Sequence, residues 1–208
     1  MRLILLLLLL GVIGPSSIRG GTPEEALRIR SSYEKALEEW AGKLAIAAPE
    51  EQLNVWANRP ASSYHGELMW DAINGALDQE WAIEYCVWLL ERAPVFSVGR
   101  EEGSAVSRAA RIVEALRTVH YRSANVGMLC LALTSQSDPA IMKVVEKVEA
   151  QNPSGEVQGQ ASLAIAMMLK GLGDDPEIME KRIARLRTSI IKAHVQEVGD
   201  PTDSKLAK

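Results

Sequence analysis

The segment that most constrains the fold is NPSGEVQGQASLAIAMMLKG, residues 152–171. It opens with an Asn-Pro turn signal, Ser154 stands where a helix cap belongs, and Gly171 marks the stop. Between these signals, small and large apolar residues leave no polar face. A helix that is apolar all round must be covered by neighbours. We therefore predict that Val157 to Leu169 form the inner helix of a stacked layer.

The rest of the chain predicts further helices separated by Pro and Gly. The start of the first helix is indicated by TPEE at 22–25, with Thr as the cap, Pro at the first helical position and Glu25 at the capping-box position. Apolar residues then recur every three or four positions as far as Ala47, and the helix is expected to end near Ala48-Pro49. Ser104 and Asp138 are the expected starts of two later helices. The remaining predicted helices span 62–75, 79–93, 104–119, 125–133, 138–152 and residues from 175 onward.

Three of these helices carry an apolar stripe at helical spacing. The stripes are Val106, Ala109, Val113 and Leu116, then Ile141, Val144, Val145 and Val148, which we expect to face inward, then Met179, Ile183, Leu186 and Ile190, at spacings of four, three and four.

The sequence predicts an all-α fold. Runs of alternating polarity bounded by turns, which indicate strands, are missing. DPAIM at 138–142 and DPEIM at 175–179 lie 37 residues apart, close to the period of helical-hairpin repeats. The repeat does not continue, because valines after the first copy become Lys and Arg after the second. We therefore expect stacked antiparallel helical hairpins, a degenerate TPR-like or HEAT-like α-solenoid, over residues 22–198, and a disordered tail at 199–208.

Residues 1–20 have the anatomy of a signal peptide: an early Arg2, an apolar block, a Gly-Pro break and small residues. The apolar block is short for a membrane span, so we expect none after cleavage, with an uncleaved anchor as the alternative. Secretion, or a periplasmic location, follows. Loss of these residues removes two arginines and changes the formal charge from -4 to -6. An acidic chain is a poor partner for nucleic acid, so we expect no nucleic-acid binding.

Cys86 and Cys130 are the two cysteines, each set among apolar residues. Free Cys is among the most buried residue types, which favours two inert core thiols. An oxidising compartment also permits a disulfide between them. A redox-active pair is a third interpretation, although the chain has no C-x-x-C motif.

A search for catalytic patterns finds none. His65, His120 and His194 include no HExxH spacing, and the GxSxG, GxxxxGK[ST] and GxGxxG motifs are absent. The His65-Gly-Glu67 match to half of the zinc deaminase signature lacks its P-C-x-x-C partner. The sequence therefore predicts no catalytic residue, no cofactor and no metal site.

Tryptophan is the residue type that points to binding. Trp56 and Trp70 lie near Arg59, Tyr64 and His65, and they flank the least helical part of the N-terminal half. Aromatic and Arg side chains contribute much of the binding energy at interfaces. These five residues are our predicted partner surface, and packing within the core is the alternative.

AIEYCVWLLERAP and NPSGEVQGQASLAIAMMLK together resemble the helical region that precedes the thioredoxin-like domain of secreted redoxin-domain proteins, found especially in planctomycete-type bacteria. In that family an ALxxLVWLL helix is followed by an NPxxxVQGQAxLALAxxLK helix. The resemblance covers about 24–198, and its specific part is VQGQA at 157–161. This chain has no W-C-x-x-C motif, so the resemblance implies the helical module alone and assigns no redox role to Cys86 or Cys130.

Together these observations favour a secreted, non-catalytic helical scaffold or protein-interaction module, beside a separate thioredoxin-like redoxin partner. One alternative is a thiol-disulfide oxidoreductase that uses Cys86 and Cys130. A second is a helical array that binds a peptide or cell-wall fragment.

Overall fold

The computed structural model describes residues 21–136 and 138–197, with side chains as far as residue 193. The α-helices in these ranges are α1 Pro23–Ile46, α2 Gln52–Ala57, α3 Ser62–Ile73, α4 Ala82–Arg92, α5 Pro94–Val98, α6 Arg108–Ala115, α7 Gly127–Ala132, α8 Pro139–Gln151, α9 Gly155–Lys170 and α10 Pro176–Glu197. A π-helix, Leu116–His120, continues α6, and a 3₁₀ turn, Leu133–Ser135, follows α7. The described part contains no strand, which confirms the all-α prediction. The predicted signal peptide and tail lie outside the described residues.

Most predicted helix starts are capped as their sequence signals indicate. The Thr22 hydroxyl accepts a hydrogen bond from the Glu25 amide at 3.3 Å. The Asp138 carboxylate accepts one from the Ala140 amide at 2.8 Å. The Ser154 hydroxyl accepts one from the third amide of α9 at 3.4 Å. These side chains satisfy amides that have no partner inside the helix.

The prediction was wrong for the start of α6. Ser107 caps this helix, accepting from the Ala110 amide at 3.1 Å. Ser104 instead closes a preceding turn, in which its hydroxyl accepts from the Val106 amide at 3.2 Å. Val106 therefore lies outside the helix and is 48% exposed, whereas Ala109, the next member of its predicted stripe, is buried.

One continuous core joins the N-terminal and C-terminal helices. α1 packs on α3 and α3 on α4, α4 contacts α7, and α7 contacts α9. Fully buried large side chains come from both halves: Met69, Trp70, Ile73, Leu89, Leu90, Ile112, Leu116, Leu129, Leu133 and Ile165. Because these side chains form one cluster, the described helices make a single packed unit.

The last three helices run antiparallel to their neighbours. Side-chain contacts join the end of α8 to the start of α9, through Gln158 and the Asn152 carbonyl oxygen 2.6 Å away. The start of α9 then approaches the end of α10. A Cβ built on Gly159 would lie 3.0 Å from the Cβ of Lys192, so this glycine permits the close approach of the two helices.

α9 is the buried helix that its sequence predicts. α7, α8 and α10 all pack against it, and eight of its residues are buried. They are Val157, Gly159, Ala161, Ser162, Ala164, Ile165, Ala166 and Leu169. Met167 is the exception, with 48% of its surface exposed. Neighbours on three sides therefore cover most of α9.

The apolar stripe of α10 lies in solvent and not in the core: Met179, Ile183, Leu186 and Ile190 are 36%, 43%, 39% and 58% exposed. A different side of the helix meets α9, and it presents Arg185, Ser189 and Lys192. The spacing of the stripe predicted the helix but did not show which side of it is covered.

Candidate functional site

Trp56 and Arg59 lie together where α2 packs on α1. Trp56 is 55% exposed, and its ring centroid lies 5.0 Å from that of Trp40 in α1. The Arg59 guanidinium lies 5.6 Å from the Trp40 ring centroid. The Trp40 indole is held in turn by an N–H that donates to the Val55 carbonyl oxygen at 2.8 Å. Two of the predicted surface residues thus share one aromatic, cationic cluster.

Tyr64 and His65 form a second cluster on α3. Tyr64 is 59% exposed, and its ring centroid lies 5.2 Å from the His65 ring. The His65 ring also lies 4.8 Å from the Tyr33 ring of α1, and its Nδ1 donates to the Ala61 carbonyl oxygen at 3.1 Å. His65 therefore takes part in helix packing, and Tyr64 is the outward member of the pair.

Trp70 lies in the core and not with the other four residues. Only 2% of it is exposed, and its indole N–H donates to the Glu101 carboxylate. Arg111 pairs with the same carboxylate at 3.2 Å and lies 5.0 Å from the Trp70 ring centroid. Trp70 therefore fixes the segment between α5 and α6 against α3, and its side chain has no surface to offer a partner.

Cys86 in α4 and Cys130 in α7 are both buried free thiols, so the disulfide that the sequence left open is not formed in this structure. Burial raises the pKa of each thiol from 9.0 to about 12, because the thiolate would lose its solvation. Reactive cysteines have depressed pKa values and access to solvent. Neither condition holds for these two.

The histidines have structural partners where the structure describes them. His120 is buried at the end of the π-helix, and its Nε2 donates to the Leu77 carbonyl oxygen at 2.8 Å. The side chain of His194 lies outside the described residues. Within the described ranges, no three His, Cys, Asp or Glu side chains come close enough together to hold a metal ion.

A groove of about 780 Å³ lies between α6 and α8, and the sequence did not indicate it. Its apolar floor is formed by Ala109, Ala110 and Val113 from α6, and Ile141 and Val144 from α8. All of these except Ala110 belong to the two predicted stripes. We call this feature the α6–α8 groove. Clefts of this size that combine an apolar floor with a few polar groups are typical of binding sites.

The rim of the α6–α8 groove carries more positive than negative charge. Its charged side chains are Glu114, Arg117, Asp138, Lys143 and Lys147. The Glu114 carboxylate forms an ion pair with the Arg117 guanidinium at an N–O distance of 2.6 Å, and the Asp138 carboxylate caps α8. Lys147 donates to the Arg117 carbonyl oxygen at 2.8 Å and lies 3.7 Å from the Tyr121 ring centroid. Neither rim lysine pairs with a carboxylate of the described residues, so both can attract an anion.

The π-helix Leu116–His120 extends the α6 side of the groove and contributes Arg117 to its rim. Within it, the Thr118 hydroxyl donates to the Glu114 carbonyl oxygen at 2.7 Å. Single-turn π segments occur often at functional sites.

No known protein family, curated protein or solved structure matches the chain. Among the described helices, none combines the length and apolarity that a membrane crossing requires. The functional assignment therefore depends on the α6–α8 groove.

Proposed function

We propose that the chain is a non-catalytic helical interaction module that binds an apolar partner segment with acidic flanks in the α6–α8 groove. The observation that carries this proposal is the combination of an apolar floor with two lysines that no carboxylate neutralises. Burial of apolar side chains in the groove supplies the driving force for binding. The lysines select partners whose flanking residues are acidic.

The charge of the whole chain makes this groove distinctive. The formal net charge is -4, so the chain as a whole repels an acidic partner at long range. Lys143 and Lys147 lie one helical turn apart on α8, along one side of the floor. An acidic segment is therefore attracted at this groove in preference to the rest of the surface, and charge contributes to the position at which the segment binds.

The stacked arrangement of the module is also part of the proposal. We infer a short, degenerate TPR-like or HEAT-like stack, in which α8, α9 and α10 are consecutive antiparallel layers. Its support is the DP-x-I-M repeat at the starts of α8 and α10 and the contacts of both helices with α9. Helical stacks of this kind bind extended or helical segments in their grooves.

We further propose that the protein is secreted or periplasmic and acts beside a thioredoxin-like redoxin. The support is the leader-like sequence at 1–20 and the VQGQA resemblance at 157–161. The alternative of a thiol-disulfide activity has the burial of Cys86 and Cys130 against it. The alternative of peptide binding coincides with the groove, and nothing in the groove is specific for a cell-wall fragment.

Two synthetic amphipathic peptides with identical apolar residues provide the test, one flanked by Glu and the other by Lys. We expect the Glu peptide to shift the backbone amide NMR signals of Ala109, Ala110, Val113, Ile141 and Val144. The Lys peptide should shift them much less, and its affinity should be lower by about tenfold at low salt. Equal binding of the two peptides, or shifts confined to other residues, would refute the charge selection.

Matched variants distinguish specific binding in the groove from nonspecific binding elsewhere on the surface. Ala140→Trp fills the mouth of the groove and should abolish the shifts, whereas Ala41→Trp, at an exposed position of α1, should leave them unchanged. Lys143→Glu should weaken binding of the Glu peptide. Arg28→Glu makes the same charge change on α1 and should have little effect.

A further inference from the structure

α10 presents an apolar stripe to solvent along its exposed side. Met179, Ile183, Leu186 and Ile190 follow each other at spacings of four, three and four residues, and each is at least 36% exposed. This spacing is that of the a and d positions in a two-stranded coiled coil. Exposed apolar patches that are continuous along a helix mark interaction surfaces.

Two charged residues flank the stripe on the side away from α9. Glu180 and Arg187 are exposed, lie seven residues apart, and have no ion-pair partner among the described residues. In the heptad frame of the stripe both occupy e positions. In an antiparallel helix pair, e positions face e positions of the other helix, so Glu180 of one copy would oppose Arg187 of the other.

The same charges disfavour a parallel pair. Parallel helices bring g positions of one copy against e positions of the other. Arg182 occupies a g position but already pairs with Asp174, so a parallel pair offers Arg187 of the second copy no free carboxylate. The antiparallel arrangement instead forms two Glu180–Arg187 pairs related by a twofold axis. The stripe is therefore complementary to itself.

We propose that α10 is a homodimerisation surface, on which a second copy of this chain binds antiparallel through Met179, Ile183, Leu186 and Ile190. The matching layers place Ile183 against Leu186 of the second copy and Met179 against Ile190. From Met179 to Ile190 the stripe spans about 16 Å of helix. This contact is small by the standard of stable dimers, so the association is weak and depends on concentration.

A membrane surface is the other occupant that a basic amphipathic helix suggests, and the observations disfavour it. Three basic residues of α10 already pair with carboxylates: Lys181 with Glu177, Arg182 with Asp174 and Arg185 with Glu149. The stripe also lacks the Trp and Phe side chains that anchor such helices in lipid headgroups. Little positive charge remains on α10 to attract an anionic bilayer.

Sedimentation equilibrium of the full chain over about a hundredfold range of concentration tests the proposal. The weight-average mass should rise from that of a monomer toward that of a dimer. Leu186→Glu should weaken dimerisation by about tenfold or more, because a carboxylate replaces an apolar layer. Leu53→Glu makes the same change at a residue that is 81% exposed on α2, and it should leave dimerisation intact.

A charge swap tests the antiparallel register. Glu180→Arg and Arg187→Glu should each abolish the dimer alone, because each opposes like charges. The double variant should restore it, and an equimolar mixture of the two single variants should form a heterodimer. None of these changes alters a buried side chain, so circular dichroism should show unchanged folding.

Three results would overturn the proposal. One is a monomer at every concentration, and another is association that persists in Leu186→Glu. The third is a monomer that cosediments with phosphatidylglycerol vesicles through the same stripe, since this would assign the stripe to a membrane surface.

Discussion

α8 and α10 begin with nearly the same five residues, DPAIM and DPEIM, yet the structure uses the two helices differently. In α8 the following turns carry Val144, Val145 and Val148, all buried. The equivalent positions of α10 carry Lys181, Arg182 and Arg185, and the last of these pairs with Glu149 of α8. The apolar stripe of α10 is displaced by one residue from this register, which turns it about 100° around the helix.

The comparison shows that a shared capping sequence determines where a helix begins. It does not determine which side of the helix is buried against neighbouring helices. The cap and the proline act on the backbone of the first turn only. Which face is buried depends on the neighbours: α8 lies against α9 and the π-helix, whereas α10 has α9 as its main neighbour. One neighbour can cover one side, so the apolar stripe of α10 stays in solvent.

The largest expected effect comes from placing a charge on each helix. Val145→Asp puts a carboxylate at a position of α8 with no exposed surface and should cost about 3–5 kcal/mol of unfolding free energy. Ile183→Asp on α10 should cost less than about 0.5 kcal/mol. Urea unfolding followed by circular dichroism, at a concentration that keeps the protein monomeric, measures both. Equal losses would mean that the α10 stripe is buried after all.

The thiols extend the comparison to α4 and α7. An Ile190→Cys side chain on the exposed stripe should react with Ellman's reagent at once at pH 8, whereas Cys86 and Cys130 should react only on unfolding. Fast reaction of either native thiol in the folded protein would contradict the packing of α4 against α7.

Burial of the thiols also predicts a pH dependence. Their pKa is raised from 9.0 to about 12 in the folded protein, so the unfolded chain loses these protons first as pH rises. The unfolding free energy is unaffected below about pH 9 and falls above it, by about 1 kcal/mol per thiol at pH 10. Urea unfolding of a Cys86→Ala, Cys130→Ala double variant should show a shallower fall. Parallel pH curves would count against burial.

The ion pair that stands in α10 where α8 has valine predicts an effect smaller than that of Val145→Asp. Arg185→Leu leaves the Glu149 carboxylate without its guanidinium, and the Glu149 side chain is only 12% exposed. We expect a loss of about 1.5–3 kcal/mol. Adding Glu149→Leu should restore part of it, because the unpaired charge is then gone. A double-mutant cycle by urea unfolding measures the coupling free energy between the two side chains. A coupling free energy of zero would show that the ion pair does not stabilise the fold.

Two glycines test how closely α10 approaches α9. Gly42 in α1 has open space around it, so Gly42→Ala should stabilise the protein by about 0.5–1 kcal/mol. Gly159→Ala gains the same helix propensity but places a methyl group 3.0 Å from the Lys192 Cβ. We therefore expect it to be about 1 kcal/mol less stable than the Gly42 variant by thermal unfolding. Identical shifts would indicate a looser α9–α10 contact.

The sequence predicted those parts of the fold that local chemistry decides. The caps at Thr22, Asp138 and Ser154 act within one turn, so their positions could be identified in advance. α9 could be predicted as buried because an entirely apolar helix has no face to give to water. The prediction chose Ser104 as the cap of α6, although Ser107 is an equally suitable capping residue. Only the turn formed by Ser104, which precedes the helix, decides between the two.

Features that join distant segments could not be predicted. Trp70 is buried with its indole N–H satisfied by Glu101, which lies 31 residues later in the chain. The floor of the α6–α8 groove is formed by residues of two helices. The apolar stripe of either helix alone does not indicate a gap between them. The spacing of the α10 stripe was visible, but periodicity describes one helix and cannot show that no neighbour covers it.

The smallest expected effect lies on the outer surface of α10, where Lys181 donates to Glu177 at 2.7 Å. This hydrogen bond lowers the pKa of the Glu177 carboxyl from 4.5. Its stabilisation is present above pH 4.5 and lost as pH falls further, because protonation removes the charge. Glu177→Gln should therefore differ only slightly from the parent at pH 7 and not at all at low pH or high salt. NMR titration of the Glu177 carboxyl checks the pKa directly. An ordinary value would leave Lys181 unpaired, which would add a positive charge beside the α10 stripe and weaken the argument against a membrane surface.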